Sequence, residues 1–442
     1  MKCYDEYKQT GTPWIGEIPS HWESKRLRFI CEFRNGYTPS KANPDFWTDG
    51  TIPWYRMEDI RDSGRRLNEA KQYVTEEAVK GGGLFEAGSF ILATTATIGE
   101  HAVLIVDSLA NQRFTNLKIR KSLSKEVDNE YFFYFLFVID DYCKSTTKTA
   151  TFAAVNIDDL KNFEVAIPPF DEQLKIVSYI NKAIQTYDNV IAAHERRIAL
   201  LEELKQSVIT EAVTHGINPD AKLRHSGIDW IGNIPDHWEV MPLKYAANKK
   251  GCCFIDGDWI ESKDIVEEGI KYITTGNIGA LTYKEQGSGY ISEKTFATLG
   301  CAEVFEGDIL ISRLNEPIGR CCIIPNLDNR VVTSVDNVIF RPDTDKYNKK
   351  FIVYYLNCNK FTEHANLIAR GATMHRISRT MLGHQHILVP PLTEQQEIVE
   401  YIDSKIKPID ASIAKAKREI ELLKELKQSV ITEAVTGKIK VC

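Results

Sequence analysis

At 442 residues the chain has room for two or three domains with full-sized cores. Its 43% hydrophobic and 26% charged residues are the balance of an ordinary globular protein, which excludes disordered and collagen-like classes. The net charge of −6 argues against a protein that coats nucleic acid without regard to sequence, yet leaves room for one that reads DNA through a local patch. The N-terminus, MKCYDEYKQTGTPW, carries no apolar signal region, and the longest apolar run, residues 131–139, is far short of a bilayer span. A cytoplasmic location and no membrane partner are therefore expected. Ten cysteines include the adjacent pairs Cys252-Cys253 and Cys321-Cys322 but no C-x-x-C, so reduced and mostly buried thiols are expected rather than a metal knuckle.

The first distinctive stretch is WIGEIPSHWE at residues 14–23. Short β-like runs follow at 90–94, 102–106 and 117–119, separated by turns. The aromatic-rich stretch from Glu130 to Tyr142 reads as a buried helix. Pro168-Pro169 then marks the start of a long helix, with Asp171 and Glu172 in its first turn, where the helix dipole favours negative charge. Gly216 follows as its C-terminal cap. From there the order repeats. WIGNIPDHWE occupies 230–239, strand-like runs lie at 309–311 and 338–340, and an aromatic segment from Lys350 to Phe361 again reads as a buried helix. Pro390-Pro391, Glu394 and Gly437 frame a second long helix.

The offset between matching segments rises only from 216 to 222, as in one duplicated unit with a few small loop insertions. It ends on a decapeptide without a change, KQSVITEAVT at 205–214 and at 427–436. Agreement is strong at the ends of each unit and faint in the middle, so the ends share a constraint that the middles escape. The expected fold is α+β: a tandem duplication of two globular α+β domains separated by two long helices that form an antiparallel coiled coil, with pseudo-twofold symmetry. The boundaries expected are a first domain at 1–169, a central helix at 170–215, a second domain at 216–391 and a C-terminal helix at 392–442.

Apolar residues in both helices space by four and three, which is a heptad seam. The seam runs through Ile184, Tyr187, Ile191, Ile198, Leu201 and Lys205, and in the second copy through Ile406, Ile409, Ile413, Ile420, Leu423 and Lys427. A lysine at one seam position either fixes register at a cost in stability or snorkels to the edge. Each rod of about 43 residues spans roughly 64 Å. Because Trp230 follows the first helix closely, its twin Trp14 is expected to dock near the C-terminal end of the second. That would close the chain on itself, with one globular domain at each end of two antiparallel rods.

The motifs of common catalysts are missing. There is no phosphate-cradling G-x-x-x-x-G-K-[ST], no G-x-G-x-x-G, no H-E-x-x-H, no G-x-S-x-G and no metal-spaced His/Cys set. IPPF at 167–170 approaches the Asn/Asp-Pro-Pro-Tyr/Phe site of DNA amino-methyltransferases. Isoleucine replaces the polar residue, however, and an alkyl group cannot accept the hydrogen bond of the target amine. No catalytic residue is assigned.

The repeated W-I-G-x-I-P-x-H-W-E, with Gly36-Tyr-Thr-Pro39, Phe46-Trp47, Gly50-Thr-Ile-Pro-Trp54, Gly371-Ala-Thr373 and Pro390-Pro391 before Glu394-Gln395, resembles the specificity subunits of type I restriction–modification enzymes. The likeness covers essentially the whole chain. It implies two target-recognition domains, each reading one half of a split duplex DNA sequence, on helices that set the spacing and dock two modification (methyltransferase) subunits. Those partners would carry S-adenosylmethionine. A restriction subunit would add ATP- and Mg-dependent cleavage. This chain would be a non-catalytic subunit without a cofactor of its own, serving DNA methylation and phage defence. The alternative is a two-headed coiled-coil scaffold that binds proteins and no nucleic acid, which the acidic net charge mildly favours.

Bases are read by Arg, Asn, Gln, Ser and Thr, and phosphates by Lys and Arg. The candidates for DNA contact are Lys148 and Thr151 in the loop before the first helix, and Arg370, Thr373 and Arg376 in its counterpart. Arg56, Arg113, Arg313 and Asn315 follow. The first loop has Thr149-Ala-Thr151 where the second has Gly371-Ala-Thr373, so its path is expected to differ. Within the decapeptides, Gln206, Ser207, Glu211, Gln428, Ser429 and Glu433 point away from the seam and are the candidate partner contacts.

Overall fold

A computed structural model describes residues 3–12, 14–95, 98–146, 154–287, 289–371 and 375–441. It resolves into two compact units, residues 1–194 with 418–442, and residues 195–417. These units cut across both long helices, Phe170–His215 and Leu392–Val435, so each unit owns part of each helix.

The first unit is built on a five-stranded sheet in the order Cys31–Asn35, Phe114–Ile119, Phe90–Ala93, His101–Leu104 and Arg66–Leu67. Only the Arg66–Leu67 edge pairs in parallel. The strand period of two divides its apolar residues between two cores. Phe90, Leu92 and Leu117 join the larger cluster, while Ile91, Ala93 and Phe114 join a smaller one on the opposite face. A sheet covered on both faces explains why these strands read as continuous apolar runs. The helix Asn129–Thr146 lies against the larger core and buries every residue from Tyr131 to Leu136. A helix apolar all round has no face left for water.

The second unit repeats the scheme with a four-stranded sheet, Cys253–Asp256, Asn337–Arg341, Ile309–Ser312 and Cys321–Ile323. Ile309, Ile311 and Val338 enter its larger core, and Leu310 and Ile339 the smaller. The aromatic segment here is not one helix, contrary to expectation. It breaks into Lys349–Leu356 and Asn359–Ile368. At the break the Asn357 side chain donates to the carbonyls of Cys321 (2.9 Å) and Val353 (2.7 Å) and accepts from the Cys321 N–H (3.2 Å). An amide committed to the sheet interrupts the helix.

The matching ends have a common architecture in both units. Ile15, Ile18 and Trp22 are buried, as are Ile231, Ile234 and Trp238. The strand after each motif, Glu23–Arg26 or Glu239–Pro242, pairs antiparallel with the strand before each Pro-Pro. His21 Nε2 lies 3.0 Å from Glu172, and His237 Nε2 lies 2.8 Å from Glu394, so each motif histidine holds the first turn of a long helix. Gln173 and Gln395 are buried at the next position. Each donates to the first proline carbonyl (Pro168 or Pro390) and to a second carbonyl (Glu126 or Lys346), and each accepts one backbone N–H. The matched sequences are thus the two halves of one joint, made twice.

The helix pairing is antiparallel within each unit. Asp188 meets Lys427 and His194 meets Glu419 in the first; Glu202 meets Lys417 and Lys205 meets Asp410 in the second. Numbers rise along one helix as they fall along the other. Ile406, Ile409, Ile413 and Ile420 are buried in the seam, and Ile184, Tyr187, Ile191, Ile198, Leu201 and Leu423 half-buried. Both seam lysines are ion-paired: Lys205 to Asp410 at 2.7 Å and Lys427 to Asp188 at 2.7 Å, the same bond in each copy. Pro408 lies inside the second helix on an exposed position. The N-terminal twin docks as expected. Ile15, Ile18 and Trp22 share a core with Ile431, Ala434 and Val435, and Tyr131 Oη donates to the Val435 carbonyl at 2.9 Å. Among the described residues no helix is long and apolar enough to cross a membrane.

Candidate nucleic-acid interface

In the first unit, the turn after strand Ile52–Tyr55 and the turn before strand Phe114–Ile119 face one open cavity of about 560 Å³. It brings together two of the predicted residues, Arg56 and Arg113, with Lys41 and Arg61. Glu58, paired with Arg56, is the one carboxylate among the lining residues. Gln112, whose amide oxygen accepts from the Thr38 hydroxyl, and Asn111, which accepts from the Arg113 N–H at 2.9 Å, add amide groups to the wall. Four cations, one anion and two amides form a surface suited to phosphates and base edges.

In the second unit the backbones of Arg370 and Arg376, after helix Asn359–Ile368, pair with each other. Each donates its backbone N–H to the other's carbonyl, at 3.0 and 2.9 Å. Arg376 also bridges Leu314, at the end of strand Ile309–Ser312, and the Asn315 N–H donates to the His375 carbonyl at 3.0 Å. Arg370, Asn315 and Arg376 are exposed, and Asn315 holds a positive φ of 60°. Arg313 is a correction. It is 4% exposed, donates to the carbonyls of Ile377 (3.1 Å) and Val335, and lies 3.1 Å from Asp256. Burial pulls its pKa down, and the arginine braces the loop from beneath instead of reaching a ligand. Lys148, Thr151 and Thr373 lie outside the described residues.

Sequence reasoning missed Lys41, Arg61 and Gln112 in the first unit. In the second it missed two acids: Asp336, 2.8 Å from Arg376, and Asp256, 3.3 Å from Arg379. Nothing in the local pattern signals these acids, because their partners lie far along the chain.

The decapeptide residues do not all point outward. Gln428 donates to Asp141 at 3.4 Å and is half-buried, and the carboxamide oxygen of Gln206 is shielded from solvent. Ser207 and Glu211 are exposed along one shallow groove with Tyr401, and Ser429 donates to Glu433 at 2.9 Å. A different set stands out. Leu200 and Leu204 are 66% and 49% exposed, and their counterparts 222 residues on, Leu422 and Leu426, are 41% and 50% exposed. Each long helix thus carries an exposed leucine pair one turn apart, at matching positions.

The sequence matches the family described as "Type I restriction modification DNA specificity domain" over residues 19–203 and again over 235–422. The chain belongs to this family. Among its relatives is the type I restriction enzyme EcoprrI specificity subunit of Escherichia coli, 40% identical over 166 residues. That match covers 38% of this chain and 41% of the relative, so the chain spans well under half the length of that protein in the aligned part. The MjaVIII specificity subunit of Methanocaldococcus jannaschii is 24% identical over 430 residues, covering 96% of this chain and 94% of that one. A solved structure described as the "structural basis underlying complex assembly and conformational transition of the type I R-M system" has a similar fold. It gives a TM-score of 0.64 at 19% identity, covering 96% and 99% of the two chains. A type I specificity subunit is non-catalytic and confers DNA recognition on an assembly whose chemistry sits in methyltransferase and restriction subunits. Here the two recognition units repeat one scaffold with different side chains.

Proposed function

We propose that each unit of this specificity subunit reads one half of a bipartite duplex DNA target, and that the paired helices set the distance between the halves. One observation carries the reading: the joints of the two units repeat the same histidine and glutamine contacts, while the candidate DNA surfaces among the described residues are built from different side chains. A cavity with Lys41, Arg56, Arg61 and Arg113 stands in one unit and a braced arginine loop in the other. Different surfaces on one scaffold suit different half-sites, as dimeric DNA readers match half-site spacing to their own geometry.

Two modification subunits dock on the helices in this reading, one per copy. The duplicated leucine pairs, Leu200 with Leu204 and Leu422 with Leu426, supply two equivalent exposed apolar patches of the kind that mark protein interaction sites. A restriction subunit joins the same assembly.

Retention of duplex DNA by the assembled complex tests the reading. Retention of random DNA should fall steeply with salt, and a defined sequence should survive. Replacing residues 20–165 with those of a relative should change one half-site and leave the other, as read by methylome sequencing; a change in both halves overturns the two-module scheme. Leu200→Asp with Leu422→Asp, or charge reversal of Glu211 and Glu433, should weaken assembly with the modification subunits while the chain stays folded by circular dichroism. Unchanged assembly would reduce these faces to helix surface.

A further inference from the structure

Arg376 sits in a fixed frame at the surface. Its backbone is held on both sides, by Arg370 and by Leu314, while its side chain stays 44% exposed. Behind it, Asp336 Oδ1 lies 2.8 Å from Arg376 Nη2. The backbone of Asp336 is itself held, because its carbonyl accepts from the Arg313 N–H at 2.8 Å and Arg313 is buried beneath the loop.

That arrangement discriminates between two uses of an arginine. A phosphate contact tolerates a mobile cation, and a carboxylate beside it repels the phosphate. A base contact needs the planar fork held in one orientation, since two parallel N–H groups must meet O6 and N7 of one guanine. A buttressing aspartate harms the first use and serves the second. The first unit is built differently. Thr94 N–H donates to Arg113 O there as Arg313 N–H does to Asp336 O, and Thr95 bridges Ala154 as Leu314 bridges Arg376. The positions of Asp336 and Arg376 are thus held by Arg113 and Ala154, so among the described residues the first unit has no such pair at this place.

We infer that Arg376 reads a guanine in the half-site of the second unit and that Asp336 is the positioning residue that presents it. The inference rests on the DNA reading proposed above, and the experiment separates the two. The full chain, assembled with its modification subunits, is used to select from a duplex pool randomised over the target. If the wild-type complex selects no sequence, the DNA reading falls and this assignment with it. Given selection, Arg376→Ala and Arg376→Lys should each relax one guanine position of one half-site, with a roughly 5- to 150-fold loss of preference there. Lysine keeps the charge but not the fork, so a phosphate contact would tolerate it. Asp336→Asn should relax the same position while retention of random DNA holds or rises, because a negative charge near the phosphates is gone. Asp336→Glu should restore part of the preference. The assignment is overturned if Arg376→Ala weakens all sequences equally with a shallower salt dependence, or leaves selection unchanged. It is also overturned if Asp336→Asn lowers retention of selected and random DNA alike, which is the mark of a merely structural acid.

Discussion

Lys205 and Lys427 show what a single residue can hide. The heptad pattern marks both as polar intruders in an apolar seam and leaves register-fixing and snorkelling equally open. The structure gives each an aspartate on the facing helix, Asp410 or Asp188, more than 200 positions away in sequence. No local pattern could announce such partners. Because both pairs are partly exposed, their coupling should be small: a double-mutant cycle on Lys205→Ala and Asp410→Ala should return about 0.3–1 kcal/mol, shrinking with added salt. A coupling near zero would make the lysines simple edge residues. His237 offers a pH handle. Its hydrogen bond to Glu394 holds its pKa above the ordinary 6.5. The raised folded value means that the pair's contribution is complete below about pH 6.5 and fades as pH climbs through the folded pKa. His237 is nearly half exposed, so the effect on stability is slight and the titration itself is the better readout. By NMR the His237 midpoint should fall in Glu394→Gln; an unmoved midpoint would mean that the pair does not persist in solution.

At the scale of elements, much was legible. Double prolines mark the starts of both long helices, at Phe170 and Leu392, and the continuous apolar runs mark strands buried on both faces. The split of the second aromatic helix was not legible, because Asn357 breaks it by bonding to a strand that only tertiary contact brings near. Arg313 misled for the same reason: basic residues in a loop look solvated until the acids that bury them are placed. The joints between motif and helix carry two sharp predictions. Gly437 has φ +71°, and a Cβ there would lie 2.3 Å from Pro19 Cδ; Gly216 has φ +78°, with its nearest neighbour, Trp238, at 3.2 Å. Both alanine substitutions are strained, and Gly437→Ala should lower the melting temperature more than Gly216→Ala. Gln173→Leu leaves two carbonyls and one N–H without partners in a buried place. A loss of roughly 2–4 kcal/mol is expected in chemical denaturation; a loss under about 0.5 kcal/mol would show that water replaces the amide.

For the whole molecule, the repeat offsets disclosed the duplication, but not how the units divide the helices between them. The second unit is one unbroken stretch of chain, 195–417, whereas the first needs both 1–194 and 418–442. This sets an order of events during synthesis. The second unit can finish folding once residue 417 has left the ribosome. The first must wait, its core open where Ile431, Ala434 and Val435 belong against Trp22, Tyr131 and Ile176. Those residues emerge about 220 residues after the rest of the unit, a delay of roughly 10–45 s at 5–20 residues per second. Chains stalled short of residue 418 should therefore show a protease-sensitive N-terminal domain beside a protected second one, and release of the last 25 residues should protect both. The half of the molecule that is made first is the half that folds last.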